Sequence, residues 1–142
     1  MEHAEIVRRA IEEVCTGNNP AAIPEFYSPE FVDHVNAMEF HGYEGARESV
    51  ALYRAIFPDV RFTIEQQLTE GQHVTTRWTM HGTNRGRTVK FSGITISRFQ
   101  DGRIIEDWGA ADTAELARQL GLWRSLLIAI RHHKLLLRRS QA

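Results

Sequence analysis

Residues 101–112 read DGRIIEDWGAAD, and Glu106, Trp108 and Asp112 have the types and spacing to do chemistry. Asp101-Gly102 is a strong turn signal, and the residues after it read as a strand. Counted by twos from Ile104, the residues Glu106, Trp108, Ala110 and Asp112 share one face. An aromatic ring and two carboxylates would then lie on one surface. If that surface lines an apolar pocket, the Asp112 carboxyl pKa is raised, which suits proton transfer. Asp112 also stands directly before a helical pattern, Thr113 to Leu120, where it can cap the first turn. One aspartate can do both.

Placing these residues depends on the hairpin loop. With a two-residue loop, Asp101-Gly102, Phe99 faces the side of Ile104. With a three-residue loop and a left-handed Gly102, Arg98 joins the face of Ile104, Glu106 and Trp108. The second register is preferred, because it gives an inward Glu106 its cation; a lone inward carboxylate is costly.

The elements before this hairpin must build the pocket. Ile6, Ala10, Ile11 and Val14 recur at helical spacing over residues 4–15, and Gly17 closes that helix. Asn19-Pro20 reads as the N-cap and first position of a short helix over 20–26. Residues 31–35 (FVDHV) form a short strand, and His41 falls in a loop. Gly42 to Phe57 is a helix with Ala46, Val50, Tyr53 and Ile56 on one face, ended by Pro58. From Val60 the period changes to two. Residues 60–69, 73–81, 88–99 and 103–111 read as four long antiparallel strands, with Gly93 as a bend or bulge. Helices first and strands after give an α+β fold, with helices packed on one side of a bent sheet.

Composition bounds the function. The chain has 142 residues, is 42% hydrophobic and 25% charged, and carries a net charge of −1. That fits one soluble domain and offers no global attraction to nucleic acid. The single cysteine, Cys15, excludes an internal disulfide and a cysteine metal cluster. The charged, amphipathic N-terminus lacks a signal-peptide core, and no apolar run is long enough to span a bilayer, so a cytoplasmic location is expected. Seven histidines show no HxH or HExxH spacing, so no metal is expected. Nucleotide-binding and serine-hydrolase motifs are absent, and no cofactor is expected.

The ordered set FVDH (31–34), GYEGARE (42–48), AIFPDVRFTIEQ (55–66), TRWTMHGTNRG (76–86) and SRFQDGRIIEDWGAAD (97–112) resembles the SnoaL-like polyketide cyclases of the NTF2-like superfamily. The resemblance covers about residues 5–121. It implies a cone in which a curved antiparallel sheet wraps the N-terminal helices around a deep pocket. It also implies a homodimer, a hydrophobic small-molecule substrate, and ring closure by intramolecular aldol condensation without a cofactor. Asp112 matches the family's catalytic aspartate. Asn84 stands where similar sequences carry His.

The remaining candidates are weighed beside it. His34 can hydrogen-bond a substrate carbonyl, orient Asp112, or be structural. Arg77 can bind an enolate or carboxylate, or pair with Glu65 across the sheet. Arg98 is a pocket residue or the structural partner of Glu106. Trp108, Trp78, Asn84 and Tyr53 complete the expected substrate-binding set. Two other functions stay open: epoxide opening by the same acid/base, and a non-catalytic pocket for a hydrophobic small molecule.

Residues 122–142 form a second unit, a basic amphipathic helical extension beyond the domain at 1–121. They carry Arg124, Arg131, Lys134, Arg138 and Arg139 and no acid. Trp123, Leu126, Leu127, Ile130 and Leu137 form an apolar arc. The extension packs on its own domain or a dimer mate, lies on an anionic membrane surface, or covers the pocket mouth.

Overall fold

The amphipathic N-terminal segment forms α1 (His3–Ala10) and runs on into a π-helical turn, Ile11–Thr16, in the computed structural model, which describes residues 2–136. Wide turns of this kind occur often at functional sites. Here Ile11, Val14 and Cys15 from the turn line an interior cavity. Arg54 donates to the carbonyls of Cys15 (2.7 Å) and Thr16 (3.2 Å), partners that the end of a helix otherwise lacks. A 3-10 turn, Pro20–Ala22, leads into α2 (Ile23–Phe26). Each has its proline in the first turn, where a missing N–H is harmless. Asn19 makes no side-chain cap bond.

Next come β1 (Tyr27–Val35), β2 (Met38–His41), α3 (Gly42–Ile56), β3 (Arg61–Glu70), β4 (His73–Asn84), β5 (Arg87–Gln100) and β6 (Arg103–Ala111). The expected 31–35 strand is longer, and the expected loop at His41 is strand β2. Among the described residues the strands form one sheet in the order β2-β1-β6-β5-β4-β3. All neighbours are antiparallel except β1 and β6, which run parallel and set Asp33 opposite Asp107. The helices cover one face. Val7, Ala10, Val14, Phe26, Phe31, Phe99 and Ile104 pack at one end of the core; Phe57, Val60, Met80, Val89, Phe91 and Leu120 pack at the other.

Two local features reverse the expected hairpin. Asp101 (φ 51°) and Gly102 (φ 74°) are both left-handed, as a two-residue hairpin turn requires. Phe99 therefore pairs with Ile104, and both are buried. The preferred three-residue loop is not formed. One step later Arg98 pairs with Glu106, so Ile105 is an extra residue in β6, a β-bulge. The bulge breaks the count by twos. Ile104 points inward, Glu106 and Trp108 point outward, and Asp107, Gly109 and Ala111 line the cavity. Gly93 is no bulge, since β4 and β5 stay in register through the Trp78–Gly93 pair.

The described residues continue with α4 (Thr113–Leu120), α5 (Leu122–Arg131) and α6 (His133–Leu136). Gln119 ties α4 to β5 by donating to the Lys90 carbonyl (2.7 Å) and accepting from the Lys90 N–H (2.8 Å). Leu137, Arg138 and Arg139 lie outside the described residues. Among the described residues no helix is long and apolar enough to cross a membrane.

Candidate active site

The concave side of the sheet and the helices over it enclose a cavity of about 110 Å³. Most of its wall is apolar: Val7, Ile11, Val14, Phe31, Val35, Val60 and Phe62 contribute. Its polar groups are few and gathered. Asp33 comes from β1, Asp107 from β6, Ser49 from α3, Ser97 from β5, and Cys15 and Tyr53 stand near them. Asp33 follows Phe31 and precedes Val35 on the inward face, so period-two alternation alone aims it at the cavity. Asp107 reaches the same space because the Ile105 bulge turns β6 over.

The two carboxyls perturb each other. Burial, and then the charge of Asp33, pushes Asp107 up; a hydrogen bond from the Ser97 hydroxyl pulls partly back. Burial also pushes Asp33 up, opposed by a hydrogen bond from Ser49 and by nearby His34. Two carboxylates this close in an apolar site do not both ionise readily, so the pair tends to keep one proton between them. Asp107 Oδ1 is buried and has no hydrogen-bond partner. A buried polar atom without a partner is uncommon in folded proteins. Burial pushes the Cys15 thiol up to about 12, so it stays protonated. Burial, then the Asp33 charge, raises Tyr53 as well, leaving its phenol a hydrogen-bond donor.

Aromatic side chains close one side. Phe62 meets Trp78 and Tyr53 edge-on, with centroids 5.3 and 5.8 Å apart. The indole of Trp78 lies across Gly93 and donates to Thr95 Oγ1 (3.0 Å). A Cβ at residue 93 would run into the Trp78 ring, so only glycine leaves room for it there.

Of the expected site residues, Tyr53 and Trp78 line the cavity. The others do not. Asp112 is exposed, and its Oδ1 accepts from the Glu115 N–H (3.0 Å), the helix-cap role. Its expected contact with the pocket is not made, because the bulge and the end of β6 carry it past the rim. Trp108 is on the outer face, 39% exposed, and stacks on the His34 ring. His34 is outward too. Its Nε2 contacts Glu106 (2.9 Å) and its Nδ1 contacts Glu39 (3.2 Å). Arg98 bonds Glu106 at 3.0 Å, the expected pair on the opposite face from the one expected. Burial pushes Glu106 up, but the His34 and Arg98 hydrogen bonds outweigh it and hold the carboxyl low. Arg77 is exposed on the outer face, and Glu65 takes the Thr79 hydroxyl instead (2.8 Å). Asn84 donates to the Ile56 carbonyl (2.9 Å) beside a surface groove.

The comparisons return the same fold. The sequence profile of the SnoaL-like polyketide cyclases matches residues 5–120. The chain belongs to the SnoaL-like polyketide cyclase family. A candidate polyketide cyclase from Bacillus cereus ATCC 10987 is 31% identical, with TM-score 0.74, covering 84% of this chain and 80% of its own. IdmH from Streptomyces antibioticus shares the fold at 23% identity and TM-score 0.77, covering 86% of this chain and 100% of its own. A Catenulispora acidiphila protein with a ketosteroid isomerase-like fold does so at 23% identity and TM-score 0.76, covering 85% of this chain and 95% of its own. No curated protein matches the chain. The family's fold, a curved sheet over helices, is the fold of this chain, and a cyclase-like function follows from the family.

Proposed function

We propose that the chain is a cofactor-independent cyclase that closes a ring in a hydrophobic keto substrate, using Asp33 and Asp107 as a carboxylate and carboxylic acid pair. The observation that carries this is the parallel register that sets the two aspartates side by side in an apolar cavity. Asp33 is the base, because Ser49 and His34 favour its charged form. Asp107 is the acid, because its ionisation is opposed by both burial and the Asp33 charge.

In the aldol form, Asp33 takes a proton from the carbon beside a carbonyl. The enolate carbon attacks a second carbonyl of the same molecule, and one C–C bond forms. Asp107 gives its proton to the new alkoxide. The proton on Asp33 then returns to the pair, so no atom is gained or lost. Tyr53 offers a further donor to the enolate oxygen. The apolar wall strengthens these interactions by excluding water.

The cavity constrains the substrate. About 110 Å³ is below the roughly 150 Å³ of an engineered cavity that takes benzene. The reacting end of the molecule, smaller than a benzene ring, enters, and larger parts extend through the mouth. The pair also has the parts for epoxide opening, with Asp107 protonating the oxygen. A set of small cyclisable diketones and epoxides separates the two. Cyclisation of diketones, lost in Asp33→Asn and Asp107→Asn, supports the aldol reading. Turnover of epoxides alone supports the other, and tight binding without turnover of either leaves a binding pocket.

For the homodimer, the supporting surface is the outer face of β5 and β6. Ile94, Ile96 and Trp108 lie together there and are 47%, 39% and 39% exposed. The Arg98–Glu106 pair beside them offers both signs of charge to a second copy.

A further inference from the structure

Helix α5 is inside out. Its inner side carries Arg124, which donates to the carbonyls of Asn84 (2.9 Å) and Arg85 (3.0 Å), and Ser125. Of its large apolar residues only Ile128 packs on the core beneath. The outer side is Leu122, Trp123, Leu126 and Ile130, exposed by 82, 76, 46 and 60%, while Leu127 turns toward the groove beside Ile56. A surface helix of a water-soluble domain normally turns these faces the other way. An apolar stripe held outward by a hydrogen-bonded arginine marks an interaction surface.

The charge around the stripe selects the occupant. Every one of the chain's 18 acidic side chains precedes residue 122. Arg131 and Lys134 are exposed near the stripe's end, with Arg85 on the adjoining groove. In an α5-to-α5 contact the facing segment carries no acid to pair with these cations. An anionic bilayer surface offers both an apolar layer and negative charge. Its headgroups accept the cations, and its acyl boundary accepts Trp123 and the leucines of a helix lying in the plane.

We propose that α5 docks the protein on anionic lipid surfaces, with Leu122, Trp123, Leu126 and Ile130 inserted and Arg131 and Lys134 on the headgroups. The surface is separate from the cavity, so docking is independent of the cyclase reading.

The test is sedimentation of the full chain with vesicles of phosphatidylcholine alone or with a quarter phosphatidylglycerol. The wild type is expected to bind the anionic vesicles at least tenfold better, and raised salt is expected to weaken binding. Leu126→Asp/Ile130→Asp is expected to lose at least tenfold while keeping its circular dichroism. Arg131→Ser/Lys134→Ser, which leaves the apolar stripe intact, is expected to lose the preference for anionic lipid. No binding to anionic vesicles, or equal binding by wild type and the Asp variant, overturns the proposal. So does sedimentation velocity showing an oligomer that the Asp variant alone dissociates, since the occupant is then a second copy.

Discussion

At the scale of single residues, the proposed chemistry rests on two carboxyls whose environment opposes their ionisation. Asp33→Asn and Asp107→Asn each keep shape and most hydrogen bonding while removing a proton-transfer group. Each is expected to lower turnover by at least about 100-fold, the scale of general acid–base catalysis, with the fold intact by circular dichroism. Asp112→Ala is expected to behave in the opposite way. It loses a cap bond, costing about 0.5–2 kcal/mol in chemical unfolding, and leaves turnover nearly unchanged. Equal turnover losses at Asp107 and Asp112 would contradict this assignment. The pair also predicts a pH dependence of stability. Asp107 is pushed from 3.8 to about 8 in the fold, so the folded state holds this proton more tightly than the unfolded chain does. Its contribution is complete below about pH 4 and is lost as pH rises toward about 8. Asp33 shifts in the same direction. Urea midpoints at pH 5 and pH 8.5 should therefore show Asp107→Asn gaining on the wild type at the higher pH. A constant difference would show that Asp107 is not held protonated.

At the scale of elements, a strand defect and a missing side chain shape the cavity. The Ile105 bulge puts Asp107 rather than Glu106 inside. Across the sheet, Gly93 lets the Trp78 ring lie flat against β5. In Gly93→Ala the new methyl occupies the ring's place, and Trp78 is driven toward the cavity. Overpacking of this kind costs about 1–3 kcal/mol, and binding of small ring ketones should fall with it. Adding Trp78→Phe removes the clash and should recover much of the stability, as read by chemical unfolding. The single change Trp78→Phe should widen the range of ring sizes accepted. If Gly93→Ala neither destabilises nor alters ligand size preference, the ring does not set the depth of the cavity.

At the scale of the whole molecule, two apolar surfaces stand exposed among the described residues, and they differ in charge. The outer sheet patch holds Ile94, Ile96 and Trp108 beside an ion pair, a surface suited to a second copy. The α5 stripe is framed by cations. Ile96→Glu places a charge in the centre of the sheet patch and should shift a dimer toward monomer in sedimentation equilibrium. The α5 variants should leave that equilibrium alone. A wild type that is monomeric at high concentration would remove the dimer.

Helix and strand positions were legible from period and punctuation, because those signals are local. Pro20, Gly42 and Pro58 bound their elements by backbone chemistry alone, and Asp101-Gly102 forms the turn its sequence names. The α+β order and the family likewise follow from the ordered motifs. Asp33 is legible too: Phe31, Asp33 and Val35 alternate onto one face, which turns the neighbouring His34 outward. Asp107 was not. A bulge inserts one residue without changing composition, and the side-by-side isoleucines at 104 and 105 are only a faint trace of it. Which of Glu106 and Asp107 enters the cavity depends on how β5 pairs with β6, a contact between strands that no single strand's pattern records. The parallel pairing of β1 with β6, which brings Asp33 to Asp107 across more than seventy residues of chain, exists only in the folded sheet.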